Sequence, residues 1–232
     1  MVLKENLLKH SQIKEKDFIE IDFTGKVKDG EVFDSTLKNE LKNVNSEQNS
    51  KVEAKPFIFS IGQGMFLRAL DEFLIGKEEG KTYTIELEPE KAFGKRSASF
   101  IQRIPTKIFK EKRITPFVGA IFNFDGRIGK IIAVSGGRAM VDFNSPLAGK
   151  IVIYEIKILR KIENLSEKIK ALNEFFFRKD LDFEVKEKKL IFSADKDFAK
   201  IIELFKDKFK EILNLAIEVK EIEKKENKLK EE

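Results

Sequence analysis

The sequence predicts an α+β fold in which antiparallel sheets dominate. Apolar and polar residues alternate with a period of two in several segments between residues 17 and 162, as they do in strands with one buried face. One helical segment interrupts these strands at 65–75, and beyond residue 163 the pattern becomes α-β-β-α-β. We therefore expect an antiparallel sheet with one short helix, a small all-β unit, and a C-terminal α-β-β-α-β domain.

The first strands are predicted from alternation and from one turn. Residues 17–23 alternate, and Lys28-Asp29-Gly30-Glu31 then supplies an Asp-Gly turn typical of hairpins. Residues 35–56 are polar and weakly patterned, which predicts a long surface loop. Alternation resumes at 56–61, so a further strand of the same sheet is expected there.

The short helix and the next strand follow directly. Apolar residues at helical spacing in 65–75, with a stop at Gly76, predict the helix. Residues 80–89 alternate again and place Tyr83, Ile85 and Leu87 on one face. A strand with one apolar face indicates an antiparallel sheet that is packed on one side.

The middle of the chain, 94–142, has short apolar segments separated by glycine turns. Segments 121–124 and 130–134 flank Asp125-Gly126, which predicts a hairpin in a small all-β unit. A unit of under about 50 residues has difficulty hiding so many apolar side chains, so we expect an exposed apolar patch there. A closed mini-core is the alternative.

The C-terminal segment changes its periodicity again. A helix is expected from Leu165, a hairpin at 181–193, a second helix at 197–213 and a last strand at 215–219. The helix that begins at Leu165 contains the triplet 175–177, three consecutive Phe residues. Because these rings point in three directions around a helix, at least one should lie off its own core.

The composition excludes several classes of protein. The chain has no Cys and one His, His10, so neither a thiolate site, nor a disulfide, nor a histidine cluster for a metal is expected. Its net charge of +5 comes from interleaved acidic and basic residues, which argues against nucleic-acid binding. No segment approaches 18 apolar residues and the start lacks a signal-peptide core, so we expect a cytoplasmic protein without a membrane segment.

Four separated motifs together resemble the FKBP-type peptidyl-prolyl isomerases. They are Ile21-Asp22-Phe23-Thr24-Gly25 with Phe33-Asp34-Ser35, then residues 56–62, then Gly80 through Ala92-Phe93-Gly94, and finally Asn144-Ser145-Pro146-Leu147-Ala148-Gly149-Lys150 before an alternating strand. The last motif resembles the return from the inserted chaperone domain in the SlyD-like, long archaeal branch. The resemblance covers 17–94 and 147–162.

This resemblance implies a domain division and a set of site residues. An FKBP isomerase domain, with an antiparallel half-barrel sheet, would comprise 1–94 and 144–162, an inserted insert-in-flap chaperone domain 95–143, and a C-terminal α/β domain 163–232. The backbone N–H of Leu67 would hold a substrate carbonyl, and Asp34 would lie near the rotating carbonyl. The pocket for the prolyl ring would be lined by Phe23, Phe33, Asp34, Phe57, Phe66, Leu67, Leu70, Phe93 and Tyr154.

The chain departs from the family pattern at four positions. Phe23 and Phe93 stand where the family typically has Tyr, Leu70 where many members have Trp, and Ser145 where His is usual. Without the two hydroxyl groups the pocket is expected to be more apolar. Individually these rings could simply be core residues, but Asp34 beside Phe33 is not what a pure core favours.

The function implied is peptidyl-prolyl cis-trans isomerisation in unfolded chains that the insert holds, with no cofactor and no metal. The alternatives are a holdase chaperone whose isomerase site has decayed, and a ribosome- or RNA-associated factor. The expected partners are unfolded or partly folded polypeptides and a second copy of the chain, bound through the C-terminal domain. A three-stranded sheet of about 70 residues with open edges is marginal alone, which favours this homodimer.

Overall fold

A computed structural model describes residues 12–41 and 54–222. It has a mixed α+β fold with antiparallel sheets and few helices, which confirms the predicted class at that level. His10 and much of the predicted 35–56 loop lie outside the described residues. The chain divides into two compact units: the described parts of Met1–Phe23, Lys55–Tyr83 and Ile156–Glu232 form the first, and those of Thr24–Ala54 and Thr84–Glu155 form the second. The three-domain division stays a prediction.

The elements follow one another along the chain in this order. The strands are β1 (Phe18–Val27), β2 (Val32–Ser35), β3 (Phe57–Ser60), β4 (Thr82–Leu87), β5 (Ile101–Pro105), β6 (Ile121–Phe124), β7 (Arg127–Ser135), β8 (Arg138–Asp142), β9 (Val152–Lys161), β10 (Phe183–Lys186), β11 (Lys189–Ala194) and β12 (Ala216–Glu221). The helices are α1 (Lys38–Leu41), α2 (Arg68–Leu74), α3 (Thr106–Glu111), α4 (Leu165–Phe177), α5 (Lys196–Leu204) and α6 (Lys206–Leu213).

The largest sheet has the strand order β2-β1-β9-β4, and β3 also pairs with β1. Strand β1 divides its pairing: its first half, Phe18–Ile21, is antiparallel to β3, and its second half is antiparallel to β2. The predicted turn at 28–31 joins β1 to β2, and Asp29 there has a positive φ of 57°. The Asp-Gly pair therefore forms the hairpin that the sequence predicts.

Alternation in β9 shows how this sheet builds its core. Val152, Tyr154, Ile156 and Ile158 are buried, whereas Glu155 and Lys157 between them are exposed. In the first unit, Ile156 and Ile158 are fully buried together with residues of β1 and α2, among them Ile19, Ile21, Leu70 and Leu74. Each fully buried aliphatic side chain stabilises the fold by roughly 1.5–3 kcal/mol relative to exposure.

A second sheet lies within the second unit, with the order β5-β8-β7-β6. Its core consists of Phe109, Ala120, Ile131, Ala139 and Val141. Phe109 belongs to α3, so the prediction of strands alone in this region is wrong at 106–111. The helix begins after Pro105, and one of its few apolar residues is the one that fills this core, so six residues were too few to show helical periodicity.

The third sheet has the order β10-β11-β12 and confirms the predicted hairpin at 181–193. Strand β12 is parallel to β11, and the chain reaches it through α5 and α6. The single helix expected at 197–213 is wrong, because Phe205 has φ −102° and ψ 3° and separates two helices. Helix α4 is capped by Asn164, whose side chain accepts from the Glu167 N–H.

The Phe triplet at the end of α4 lies beside a cluster of other Phe rings. All three rings are half-buried. Phe177 stacks on Phe209 at 5.9 Å between centroids, and Phe176 lies 5.0 Å from Phe205. Phe175 contacts Phe176 at 5.1 Å. Phe176 and Phe177 thus belong to the ring cluster between α4, α5 and α6, whereas the ring contact of Phe175 is with its chain neighbour, so the prediction of one ring off the core stays a prediction.

Candidate active site

Three predicted site residues of the first unit form one aromatic group. The ring of Phe23 lies 5.1 Å from Phe66 and 6.4 Å from Phe57, and Phe57 lies 5.6 Å from Phe66. Phe23 is buried, whereas Phe57 and Phe66 are half-buried. Phe59, which the sequence analysis did not select, stacks on Phe57 with centroids 5.1 Å apart and buries its ring fully.

Helix α2 carries the next two site residues of this unit. Leu67 is its half-buried N-terminal cap residue and has an extended backbone, and Leu70 is fully buried one turn later. The helix begins at Arg68 rather than at Met65, because the chain from Ser60 to Leu67 is irregular, with positive φ at Gly62 and Gly64. This late start is what leaves Phe66 and Leu67 ahead of the first helical turn.

An aspartate that the sequence analysis missed lies under this irregular segment. Asp71 of α2 is 4% exposed, and the N–H of Gly62 donates to its carboxylate. Burial raises the pKa of Asp71 to about 6, and the negative charge of Glu72 adds to the increase, although the Gly62 hydrogen bond opposes it. No signal in the sequence distinguishes Asp71 from its exposed neighbour Glu72 except helical spacing from Leu67 and Leu74.

The remaining site residues form a second aromatic group, in the second unit. Phe33 lies edge-on to Phe93 at 5.6 Å and to Tyr154 at 5.8 Å between centroids. Gly25 of β1 makes this approach possible, because a Cβ atom built there would lie 2.9 Å from both Phe33 and Tyr154. Any larger residue at position 25 would push the two rings apart.

Asp34 and Tyr154 are electrostatically coupled in this group. Asp34 as a residue is exposed, yet partial burial of its carboxyl group raises its pKa, while the N–H of Ser35 donates to it and lowers it. Tyr154 is 2% exposed, and burial, together with the negative charge of Asp34, raises the pKa of its phenol. The group therefore presents two phenyl rings, one phenol and one carboxyl group.

Comparison with known proteins decides the family. A model of the FKBP-type peptidyl-prolyl cis-trans isomerases matches residues 9–111, and a model described as "FKBP26, IF domain" matches residues 102–147. A short-type peptidyl-prolyl cis-trans isomerase of Methanocaldococcus jannaschii is 33% identical over 146 residues, which cover 63% of this chain and 92% of that protein. The chain belongs to the FKBP-type peptidyl-prolyl cis-trans isomerase family.

Two bacterial FKBP-type relatives extend the comparison. An FKBP-type 16 kDa peptidyl-prolyl cis-trans isomerase of Escherichia coli is 32% identical over 144 residues, covering 60% of this chain and 87% of that protein. The FKBP-type peptidyl-prolyl cis-trans isomerase SlyD of Helicobacter pylori is 28% identical over 127 residues, covering 53% of this chain and 68% of that protein. The family match and these relatives show that the chain is a peptidyl-prolyl cis-trans isomerase.

The predicted site is built largely from hydrocarbon rings. Phe23 and Phe93 have no hydroxyl group, so Tyr154 is the one phenol among the predicted site residues. Across the described residues, no group of three or more His, Cys, Asp or Glu side chains could hold a metal ion. In the same ranges no helix is long and apolar enough to cross a membrane.

The sheet at 101–142 exposes apolar side chains beside its small core. Phe117 and Ile121 are 64% and 63% exposed. Ile121 of β6 is opposite Lys130 of β7, on the face turned away from Ile131. The exposed apolar residues of this region are Phe100, Ile108, Phe117, Val118, Ile121, Ile128, Ile132 and Val134.

Proposed function

We propose that this chain is an isomerase of the SlyD-like, long archaeal branch that turns X-Pro bonds in unfolded polypeptides held by an insert-in-flap domain at 95–143. The observation that carries the proposal is the apolar character of both aromatic groups, in which Tyr154 bears the one hydroxyl group, with Asp34 next to Phe33. The names of the relatives and the family match at 102–147 support it.

Such a site needs neither a nucleophile nor a metal. An X-Pro bond rotates over a barrier of about 20 kcal/mol because amide resonance gives the C–N bond double-bond character. The twisted amide has lost that resonance and has a less dipolar carbonyl, so transfer from water to an apolar surface destabilises the planar amide more than the twisted one. The rings lower the barrier by this difference.

The predicted site residues take separate roles in the proposal. Phe23, Phe57, Phe66 and Leu70 would contact the prolyl ring of the substrate, and the N–H of Leu67 would bind a substrate carbonyl oxygen. Phe33, Phe93 and Tyr154 would contact the neighbouring residues, where Asp34 would act on the rotating carbonyl. Because Phe57, Phe66 and Phe93 would also flank the residue before proline, we expect a preference for apolar residues there.

Substitution of the second aromatic group tests the isomerase site. Phe33→Ala and Asp34→Ala should each lower kcat/KM on a tetrapeptide X-Pro substrate by about tenfold or more, equivalent to about 1.4 kcal/mol of transition-state stabilisation. Phe117→Ala and Asp182→Ala, at exposed positions, are the matched controls and should leave the rate unchanged. Unchanged rates for Phe33→Ala and Asp34→Ala in folded protein would remove these residues from the site. No turnover by the natural chain would favour the holdase alternative.

We also propose that the chain forms a homodimer through residues 163–222. Leu204 of α5 is 82% exposed and Ile201, one turn earlier, is 43% exposed, while β10 and β12 form the two edges of a three-stranded sheet. A second copy could cover this apolar face and an edge together.

Light scattering tests the dimer. The full chain should give about twice 26.8 kDa, and Leu204→Ser should shift it towards the monomer, whereas Lys200→Ser on the same helix should not. A monomer at micromolar concentration would contradict the proposal.

A further inference from the structure

Two chain segments connect the sheet at 101–142 to the rest of its unit, and a polar side chain joins them. Residues 94–97 lead into the sheet and 142–149 lead out; we call them together the neck. The Oδ1 atom of Asn144 accepts from the Ser97 N–H at 2.8 Å, and its Nδ2 donates to the Ser97 carbonyl oxygen at 3.1 Å. Asn144 therefore pairs with the backbone of the opposite segment as a strand would.

The same asparagine also holds a buried carboxylate. Its Nδ2 donates to Asp142 Oδ1 at 2.7 Å, and its backbone N–H donates to that oxygen at 2.8 Å. The other carboxylate oxygen of Asp142 pairs with the Arg96 guanidinium, which belongs to the incoming segment. Asp142 is 6% exposed, and its burial would raise its pKa, but the hydrogen bonds from Asn144 and the charge of Arg96 outweigh this and lower the pKa.

These contacts lie next to a predicted site residue. The Gly149 N–H donates to the Gly94 carbonyl oxygen at 2.8 Å, directly after Phe93. Gly149 has φ +75°, and a Cβ atom there would lie 3.1 Å from Arg96 Cγ. The outgoing segment can therefore approach the incoming one at this point only through glycine. Both ends of the neck are fixed to each other within a few residues of Phe93.

We propose that Asn144, Asp142 and Arg96 form a clamp that holds the sheet at 101–142 in one orientation relative to Phe33, Asp34 and Phe93, and that Asn144 is thereby a positioning residue for catalysis on protein substrates. This inference depends on the proposed function, since only a chain held by the sheet can gain from its orientation. It also gives a physical role to the Asn-Ser-Pro-Leu-Ala-Gly-Lys motif, whose side chains do not line the predicted pocket. Without the clamp, the sheet would sample many orientations, and the local concentration of held prolines would fall.

The orientation is measured without reference to activity. The chain has no Cys, so spin labels can be attached specifically at Ser135→Cys in the sheet and Glu88→Cys at the end of β4, both exposed positions of the second unit. The distance distribution between the labels should be narrow in the otherwise natural chain and at least twice as broad with Asn144→Ala. The matched control is Asn123→Ala, because Asn123 also makes a side-chain hydrogen bond, to the Gly126 N–H, but within the β6–β7 turn. Equal widths for all three proteins would overturn the clamp.

The catalytic consequence is measured on two substrates. Asn144→Ala should lower kcat/KM about three- to tenfold on a protein whose refolding waits for proline isomerisation, chiefly by raising KM, and change tetrapeptide turnover by less than about twofold. A double variant, Ser97→Cys with Asn144→Cys, should show the same loss when reduced and recover when oxidised, because a disulfide replaces the hydrogen bonds across the neck. Recovery in the oxidised form would show that the reduced form loses activity because the neck is open and not because the sheet is unfolded.

The outcomes separate this inference from the function on which it depends. If tetrapeptide turnover is absent in the natural chain, the isomerase proposal fails, while the distance measurement still decides the clamp. If tetrapeptide turnover is present and Asn144→Ala leaves the rate on the refolding protein unchanged, Asn144 is not a positioning residue.

Discussion

The largest sheet, which has the order β2-β1-β9-β4 and which we call the isomerase sheet, and the sheet at 101–142 both consist of strands with alternating apolar residues. They differ in how many of those apolar residues are buried. In β9 the residues of one face, Val152, Tyr154, Ile156 and Ile158, are buried, and the exposed positions between them are Glu155 and Lys157. In β7, by contrast, Ile131 is fully buried while Ile128, Ile132 and Val134 remain exposed. An exposed isoleucine loses the roughly 1.5–3 kcal/mol that burial provides, so the second sheet forgoes stability that its own sequence could have supplied.

This difference fits the proposed division of function between the two sheets. A closed apolar face keeps rings such as Phe59 in fixed positions, which an apolar catalytic surface requires. An open apolar face is a disadvantage for stability and solubility unless another chain covers it. The contrast therefore supports a division between catalysis in one sheet and polypeptide binding in the other, and three experiments can break or sharpen it.

The largest effect should come from the buried side of the smaller sheet. Ile131→Ala removes a fully buried side chain from a core of five residues, which should lower the free energy of unfolding of this sheet by about 2–5 kcal/mol. Ile121→Ala, on the exposed face, should change it by less than about 0.5 kcal/mol. Hydrogen exchange of the amides in β7 and β8 measures both. Similar losses for the two variants would mean that the exposed face is in fact covered.

Removal of the whole sheet should separate the two substrates. Replacing residues 96–142 by a short Gly-containing loop should lower the rate on a refolding protein by about 100-fold, because held prolines no longer have a high local concentration. Tetrapeptide turnover should be largely retained. Equal losses on both substrates would show that residues 96–142 are part of the catalytic site, which would end the proposed division.

A smaller effect should come from Asp71, the buried ionisable residue of helix α2. Since the pKa of Asp71 is raised to about 6, the folded state binds a proton more tightly than the unfolded state does. The stabilisation that the bound proton gives the folded state is fully present below about pH 4 and is lost as the pH rises through 6. Asp71→Asn keeps an acceptor for the Gly62 N–H and should raise the free energy of unfolding at pH 7.5 by on the order of 1–3 kcal/mol.

The measurement is urea unfolding of the natural chain and of Asp71→Asn at pH 4.5, 6.0 and 7.5. The free energies of unfolding of the two proteins should approach each other at pH 4.5 and separate as the pH rises. A constant difference between the two proteins at all three values would contradict a titrating Asp71. Glu72→Gln, at the exposed neighbouring position, is the control and should show little pH dependence of its own.

Much of the fold could be predicted because local patterns agree with the final structure. Asp125-Gly126 between alternating segments gives the β6–β7 hairpin, and Tyr83, Ile85 and Leu87 share a face in β4. The predictions failed where a few residues depart from a longer pattern. Phe205 divides a continuous apolar stripe into α5 and α6. Helix α3 is too short to show helical periodicity, and its Phe109 is recognisable only from its place in the core of the sheet at 101–142.

For the site, the ring residues could be chosen from family motifs, but the polar residues that support them could not. Asp71 and Asp142 are buried, although nothing in composition separates them from the many exposed acidic residues. Asn144 was visible as part of a motif, yet its bonds to Ser97 join positions 47 residues apart. Such pairings depend on the path of the chain in three dimensions, which alternation and spacing do not record.

The position of β9 in the isomerase sheet has a consequence for synthesis on the ribosome. Strand β1 must wait for its neighbour β9, and the Ile162 N–H donates to the Phe18 carbonyl oxygen across most of the chain length, at 2.8 Å. The sheet at 101–142 needs only local pairings, which form faster than distant ones. We expect the nascent chain to acquire a folded sheet with its exposed isoleucines while the isomerase sheet still lacks a central strand. The surface that we propose to bind unfolded polypeptides would thus exist before the enzyme does, and the first unfolded polypeptide within its reach is the remainder of its own chain.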